Sequence, residues 1–267
     1  MVAVEAQEIA VEDLAIASLF LDLGMLQRYF DLMAPLVGRR DELMRDYPEC
    51  YACKAKKTSM EHIPAKCFHP PDGNFRKNLI KVPSCERHNC EKAGDDLYAV
   101  IHVALLHGAQ SHQTEVIDRL RRSLERDVRE RGGALVRRIY AEIVGRDGSY
   151  LEGKLDVVRM KRFMRLLARG VYFYDRFERL EKPLKIAWLG NDPRDPAKVQ
   201  ASAEMTEHLQ EPFNRLGVKD DGPNPSVFRY AIADDSENKA VLVRLTFYDS
   251  LSWWAFYHPD AEGMDLD

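Results

Sequence analysis

Hydrophobic positions recur at two different periods along this chain, and the change of period divides it. Over residues 11–36, Leu14, Leu19, Leu23, Leu26, Phe30 and their neighbours recur at helical spacing, with Gly24 splitting the run into two helices. A short helix is expected over 39–45, before Pro48. Later helices are expected from a cap at Asp95 or Asp96 to about residue 106, over 115–131 with Gly132-Gly133 as the stop, over 134–144 and over 155–173. After Pro183 strand formers take over at 184–189, 227–233, 240–248 and 252–257. Asp-Asp-Ser-Glu-Asn between the middle two is hairpin turn chemistry, and a helix bent by Pro212 is expected over 206–216. The class is therefore α+β: a mostly helical chain with a small C-terminal antiparallel sheet docked on the helices. Trp253-Trp254 reads as core, with one of the two facing away from what the other buries.

One stretch, residues 48–98, interrupts the helical pattern and holds all five cysteines. Cys50-Tyr-Ala-Cys53 and Cys85-Glu-Arg-His88 each place two ligand types three positions apart, a spacing that lets a tight turn aim both at one tetrahedral zinc. Cys90 competes with His88 for the fourth position; His88 keeps the knuckle spacing. Between the knuckles, strands are expected over 59–63 and 78–82, joined by a loop with Pro70, Pro71 and Gly73. Pro83 should stop the second strand, and Ser84 should cap a helix that begins at Cys85. The organisation expected is a helical segment at 1–46, a zinc module at 47–100, a helical region at 101–181 and a small α/β region at 182–267.

Composition sharpens this picture. At 267 residues and 45% hydrophobic content, the chain can bury a core without disulfides, and clustered cysteines suit a metal in a reducing, cytoplasmic setting. Acidic residues punctuate the early apolar stretches, so neither a leader nor a membrane span is expected. The formal charge of -4 argues against a uniformly basic surface. Distribution matters more: positions 54, 56, 57, 66, 76, 77, 81, 87 and 92 are Lys or Arg, against acids at 61, 72, 86 and 91. Arg-rich helices over 119–146 read first as a solvated face with i,i+4 pairs.

Inside the zinc clip stand Glu61-His62, then Asn78, then Asn89 directly after the second knuckle. In order, spacing and residue type this resembles the HNH endonucleases, whose ββα-metal module carries an acid-His pair on its first strand, an Asn before the second and an Asn or His on the following helix. Glu61 stands where Asp is usual, Lys54 where Gly is usual, and His88 in place of a fourth cysteine. The resemblance implies a ββα-metal module stapled by structural Zn²⁺ on Cys50, Cys53, Cys85 and His88. It implies His62 as general base, Asn78 orienting it through the backbone, and one Mg²⁺ or Mn²⁺ held by Glu61 and Asn89. The implied activity is metal-dependent hydrolysis of DNA phosphodiesters, with RNA left open, and a role in phage defence or restriction. Lys56, Lys57, Arg76, Lys77 and Arg87 are candidates for holding phosphates. The competing reading is a zinc-stabilised module that binds nucleic acid or protein without cleaving, with a protein partner through the C-terminal region. Oligomeric state is open.

Overall fold

A computed structural model describes residues 40–69, 75–89, 92–108, 156–188, 196–249 and 251–261, with a few positions between 122 and 133. Contacts divide the chain into two units, Met1–Tyr47 and Pro48–Asp267. In the first, a helix covers residues 40–46. The helices expected over 11–36 and 134–144 lie outside the described residues, and so does most of that over 115–131.

The second unit mixes helices with two antiparallel sheets. Strands β1 (Ser59–His62) and β2 (Lys81–Ser84) form a hairpin, followed by a single helical turn, α1 (Glu86–Asn89), and by α2 (Ala93–Gly108). The long helix α3 (Val157–Arg176) leads to β3 (Lys185–Trp188) and α4 (Pro196–Arg215). Then come β4 (Asp221–Asn224), β5 (Phe228–Asp235), β6 (Ala240–Phe247) and β7 (Leu251–Tyr257). The larger sheet has the order β3-β7-β6-β5-β4, every neighbour antiparallel.

α3 is the central element. Asp156 caps it by accepting from the Arg159 N–H at 2.9 Å, and Phe177 ends it in the left-handed region at φ 56°. Its buried residues include Met160, Phe163, Met164, Leu167, Val171 and Tyr172, and it packs on β2 as well as on β3, β6 and β7. Gly170 is required where it meets the first hairpin, because a Cβ there would lie 2.8 Å from the Ile63 side chain. α2 docks on α3 through Asp95, which accepts from Arg159 at 2.6 Å and from Arg162. Asp95 and Asp96 thus lie inside the first turn of α2, where Asp96 pairs with Lys92 at 2.9 Å, and the helix starts earlier than their expected capping role implied.

The large sheet is covered on both faces, so β5 and β6 are buried almost throughout. Leu209 and Phe213 of α4 pack on Ala231, Ala233, Leu242 and Trp254. On the opposite face Phe228, Phe247 and Phe68 stack towards Phe163 of α3, with ring centroids 5.1 to 5.8 Å apart. Two-sided cover agrees with the tryptophan pair read as core: Trp253 and Trp254 are both buried, and Trp254 packs beneath α4. β4 was not expected, because Asp-Gly-Pro-Asn reads as a turn. It pairs only because Gly222, at φ 147°, lets the backbone close on Phe228, whose carbonyl would be 2.7 Å from a Cβ. α4 begins ten residues before the expected start, in a stretch with little apolar periodicity.

Candidate functional site

The first knuckle is built by a short bridge, Glu49 opposite Lys56, that turns Cys50 and Cys53 inward; the Cys50 N–H donates to the Ala55 carbonyl at 2.9 Å. Ala52 N–H points at Cys50 Sγ at 3.4 Å. The second knuckle is β2 running into α1, where the His88 and Asn89 N–H groups both donate to the Cys85 carbonyl. Together they bring Cys50, Cys53, Cys85 and His88 within 4.8 Å of one another.

The spacings among these atoms are informative. His88 Nδ1 lies 3.4 Å from Cys50 Sγ, 3.5 Å from Cys53 Sγ and 3.4 Å from Cys85 Sγ, and the sulfurs of Cys53 and Cys85 are 3.8 Å apart. Bond lengths of about 2.3 Å to sulfur and about 2.05 Å to nitrogen in a tetrahedron give edges of about 3.8 Å and about 3.6 Å. The four donor atoms thus stand at spacings close to those of the corners of a ligand tetrahedron, and they could hold a metal ion such as zinc. Burial pushes the Cys50 thiol up to about 11, the state expected of a buried sulfur before an ion claims it. Cys90 lies outside the described residues.

Ser84, expected to cap α1, is instead the last residue of β2 and donates its hydroxyl to Glu61 Oε2 at 3.1 Å. Pro83 sits inside β2 rather than ending it, opposite Met60. Its carbonyl accepts from the Tyr51 N–H at 2.8 Å, so its missing N–H faces the knuckle side and no bond to β1 is lost.

Adjacent residues on a strand point to opposite faces, and β1 obeys this. Glu61 turns inward beside Lys92, and both side chains are nearly inaccessible, at 3% and 2% exposed. Lys92 also reaches Asp96 at 2.9 Å. Burial pushes Glu61 up to about 7 against the pull of Lys92. Burial alone would lower Lys92, yet the two carboxylates hold it above the usual lysine range. Asn89 donates its side-chain amide to Ser59 Oγ at 2.7 Å. A divalent ion between Glu61 and Asn89 does not fit this arrangement: one Glu61 oxygen faces an ammonium, the other takes a hydroxyl, and burial closes the approach of a hydrated cation.

His62 emerges on the other face, half-buried, opposite Lys81 in the hairpin register. Burial, then Lys66 and Lys81, lower it to about 4, so the imidazole is neutral at physiological pH. His69 stands close enough to be influenced by it and is likewise lowered to about 4, by burial and then by Arg76. Asn78 takes the left-handed backbone, at φ 53°, in the turn before β2 rather than starting the strand. The strand acid and the strand base therefore serve different faces.

The phosphate-holding candidates are scattered. Lys56, Lys77 and Arg87 are exposed and Lys57 is half-buried. Arg76 is engaged within its own loop, donating from Nε to the His69 carbonyl at 3.2 Å and from Nη2 to the Lys66 carbonyl at 3.5 Å. Lys66, Lys81 and Lys92 were counted in the basic bias of this stretch but given no individual role. Hairpin pairing would have pointed to Lys81, whereas Lys92 carried no periodic or motif signal. Among the described residues no helix is long and apolar enough to cross a membrane. No protein-family model, curated protein or solved structure matches this chain.

Proposed function

We propose that this chain is an endonuclease of HNH type that hydrolyses DNA phosphodiesters, with a structural zinc on Cys50, Cys53, Cys85 and His88 and with His62 as general base. One observation carries the reading: half-buried His62, on a hairpin whose flanking segments supply the ligand cluster, lies opposite Lys81 and feels the exposed cations Lys66 and Lys81, which with burial keep its imidazole neutral. A neutral imidazole can take a proton from water as that water attacks phosphorus. Lys66 and Lys81 can neutralise the charge that builds on the phosphoryl oxygens. The P–O3′ bond then breaks and the departing oxygen is protonated from solvent, which leaves a 5′-phosphate and a 3′-hydroxyl. No step is assigned to a divalent ion, since Glu61 is held by Lys92.

The experiment is plasmid nicking by zinc-loaded protein, alone and with added Mg²⁺ or Mn²⁺. The wild type should cut in at least one condition and His62→Ala in none, with zinc content and melting temperature unchanged. Equal cutting by the variant refutes the role of His62. A second reading, a zinc-stapled nucleic-acid-binding module, is favoured by the closed Glu61–Lys92 pair. It expects salt-sensitive DNA binding, no cleavage under any cation and no response to His62→Ala.

A further inference from the structure

The large sheet reaches the loop behind His62 at one end, through two turns that are themselves joined. Val227 N–H donates to the Asn224 carbonyl at 2.9 Å in the β4–β5 turn, and Tyr248 N–H, in the β6–β7 turn, donates to the Val227 carbonyl at 3.0 Å. From this junction the Asn224 side-chain amide donates to the Phe75 carbonyl at 2.9 Å and lies 3.4 Å from that of Lys77, bracketing Arg76. Arg76 in turn donates to the carbonyls of His69 and Lys66. The buried Tyr248 hydroxyl donates to the Phe68 carbonyl at 3.0 Å, and the Phe68 ring is held between Phe163 and Phe247.

Unusual backbone marks the same junction, with Tyr248 and Asp249 both at positive φ in the β6–β7 turn. Tyr248 holds φ 49°, a left-handed conformation that is an outlier for a bulky side chain and persists only where the surroundings fix it. Gly222 closes β4 onto β5 where no Cβ fits. The grip on the loop is thus made from turn backbone that its surroundings must hold in place.

We infer that this end of the sheet is a clamp on the loop flanking His62, with Asn224 and Tyr248 as positioning residues that act through Arg76 and His69. The inference rests on the nuclease reading for its kinetic consequence, but not for the grip itself. Without the clamp the carbonyls of Phe75, Lys77 and Phe68 lose their donors, and the loop carrying Lys66 and Arg76 drifts relative to β1.

Two variants remove the donors while keeping shape: Asn224→Asp, which has no N–H to give, and Tyr248→Phe. Hydrogen exchange followed by mass spectrometry should show faster exchange over residues 75–78 in both, with zinc content unchanged. In plasmid cleavage, kcat should fall about tenfold, as expected when a supporting group is misplaced. KM should stay within about twofold, since the exposed lysines still meet DNA. Unchanged exchange over 75–78 in both variants overturns the clamp. Faster exchange with unchanged kcat overturns its link to His62. A wild type that cuts nothing sinks the nuclease reading, and the exchange measurement then still decides the clamp.

Discussion

Removing the metal from the Cys50, Cys53, Cys85 and His88 cluster should unfold the clip. The ligands come from two segments whose nearer cysteines, Cys53 and Cys85, have 31 residues between them, and among the described residues no disulfide spans that gap. A structural zinc contributes roughly 10–16 kcal/mol near pH 7, against a whole-domain stability of roughly 5–15 kcal/mol. At about 1.4 kcal/mol per tenfold, the lower figure corresponds to a Kd on the order of 10⁻⁷ M, so a chelator that buffers free zinc far below this strips the site. Each kcal/mol is worth roughly 2–4 °C in a unit of this size, so melting should fall by about 20 °C or more. Thiolates released from the metal take up protons at neutral pH, since an unburied cysteine titrates at about 8.5, so a weakly buffered solution should turn more alkaline than the chelator and the same amount of zinc make it alone. Elemental analysis, scanning fluorimetry with and without chelator and a pH electrode make the three measurements. One zinc per chain, lost together with the melting transition, is expected, and His88→Ala should weaken retention while Cys90→Ala should not. A melting curve indifferent to the chelator refutes the argument; metal loss in Cys90→Ala with retention in His88→Ala refutes the choice of the fourth ligand.

The buried pair offers a second test: Lys92→Met leaves Glu61 buried and unpartnered by an ammonium, which should cost roughly 3–5 kcal/mol in urea unfolding, while Glu61→Gln with Lys92→Met should cost less than the two single changes summed. Simple additivity would show that the pair is not coupled. For His62, the folded value of about 4 lies below the ordinary 6.5, so the folded chain binds fewer protons between these limits. Its contribution to stability is complete above pH 6.5 and is lost as pH falls towards 4, and the ring carbon shift in NMR should titrate near 4. A midpoint at 6.5 would mean a solvated ring free of the two lysines. Gly170→Ala should destabilise by about 1–3 kcal/mol, because the new methyl presses on Ile63, and Ile63→Val should recover part of the loss. An unchanged unfolding midpoint would mean that α3 and the hairpin have room to separate.

What the sequence revealed followed its periodic and spaced signals. The four ligands were legible because three-residue spacing is a local property of tight turns. α3 was legible because its apolar stripe is long and continuous. The direction of Glu61 was not, because its partner Lys92 lies in the segment after α1 and is brought to it only by the chain path through the ligand cluster. β4 was hidden by turn residues that only a tertiary neighbour converts into a strand. The tryptophan pair was legible as core, and alternation places its two rings on opposite faces of a sheet that is covered on both.

The same chain turn that carries Cys85 and His88 delivers Lys92 four residues later to the inward-facing carboxylate of β1. The turn that supplies half of the cluster therefore also sets the counter-charge of that acid. A chain in which that turn is misplaced would present a stranded negative charge and loose thiols at once, a combination that invites quality-control proteases.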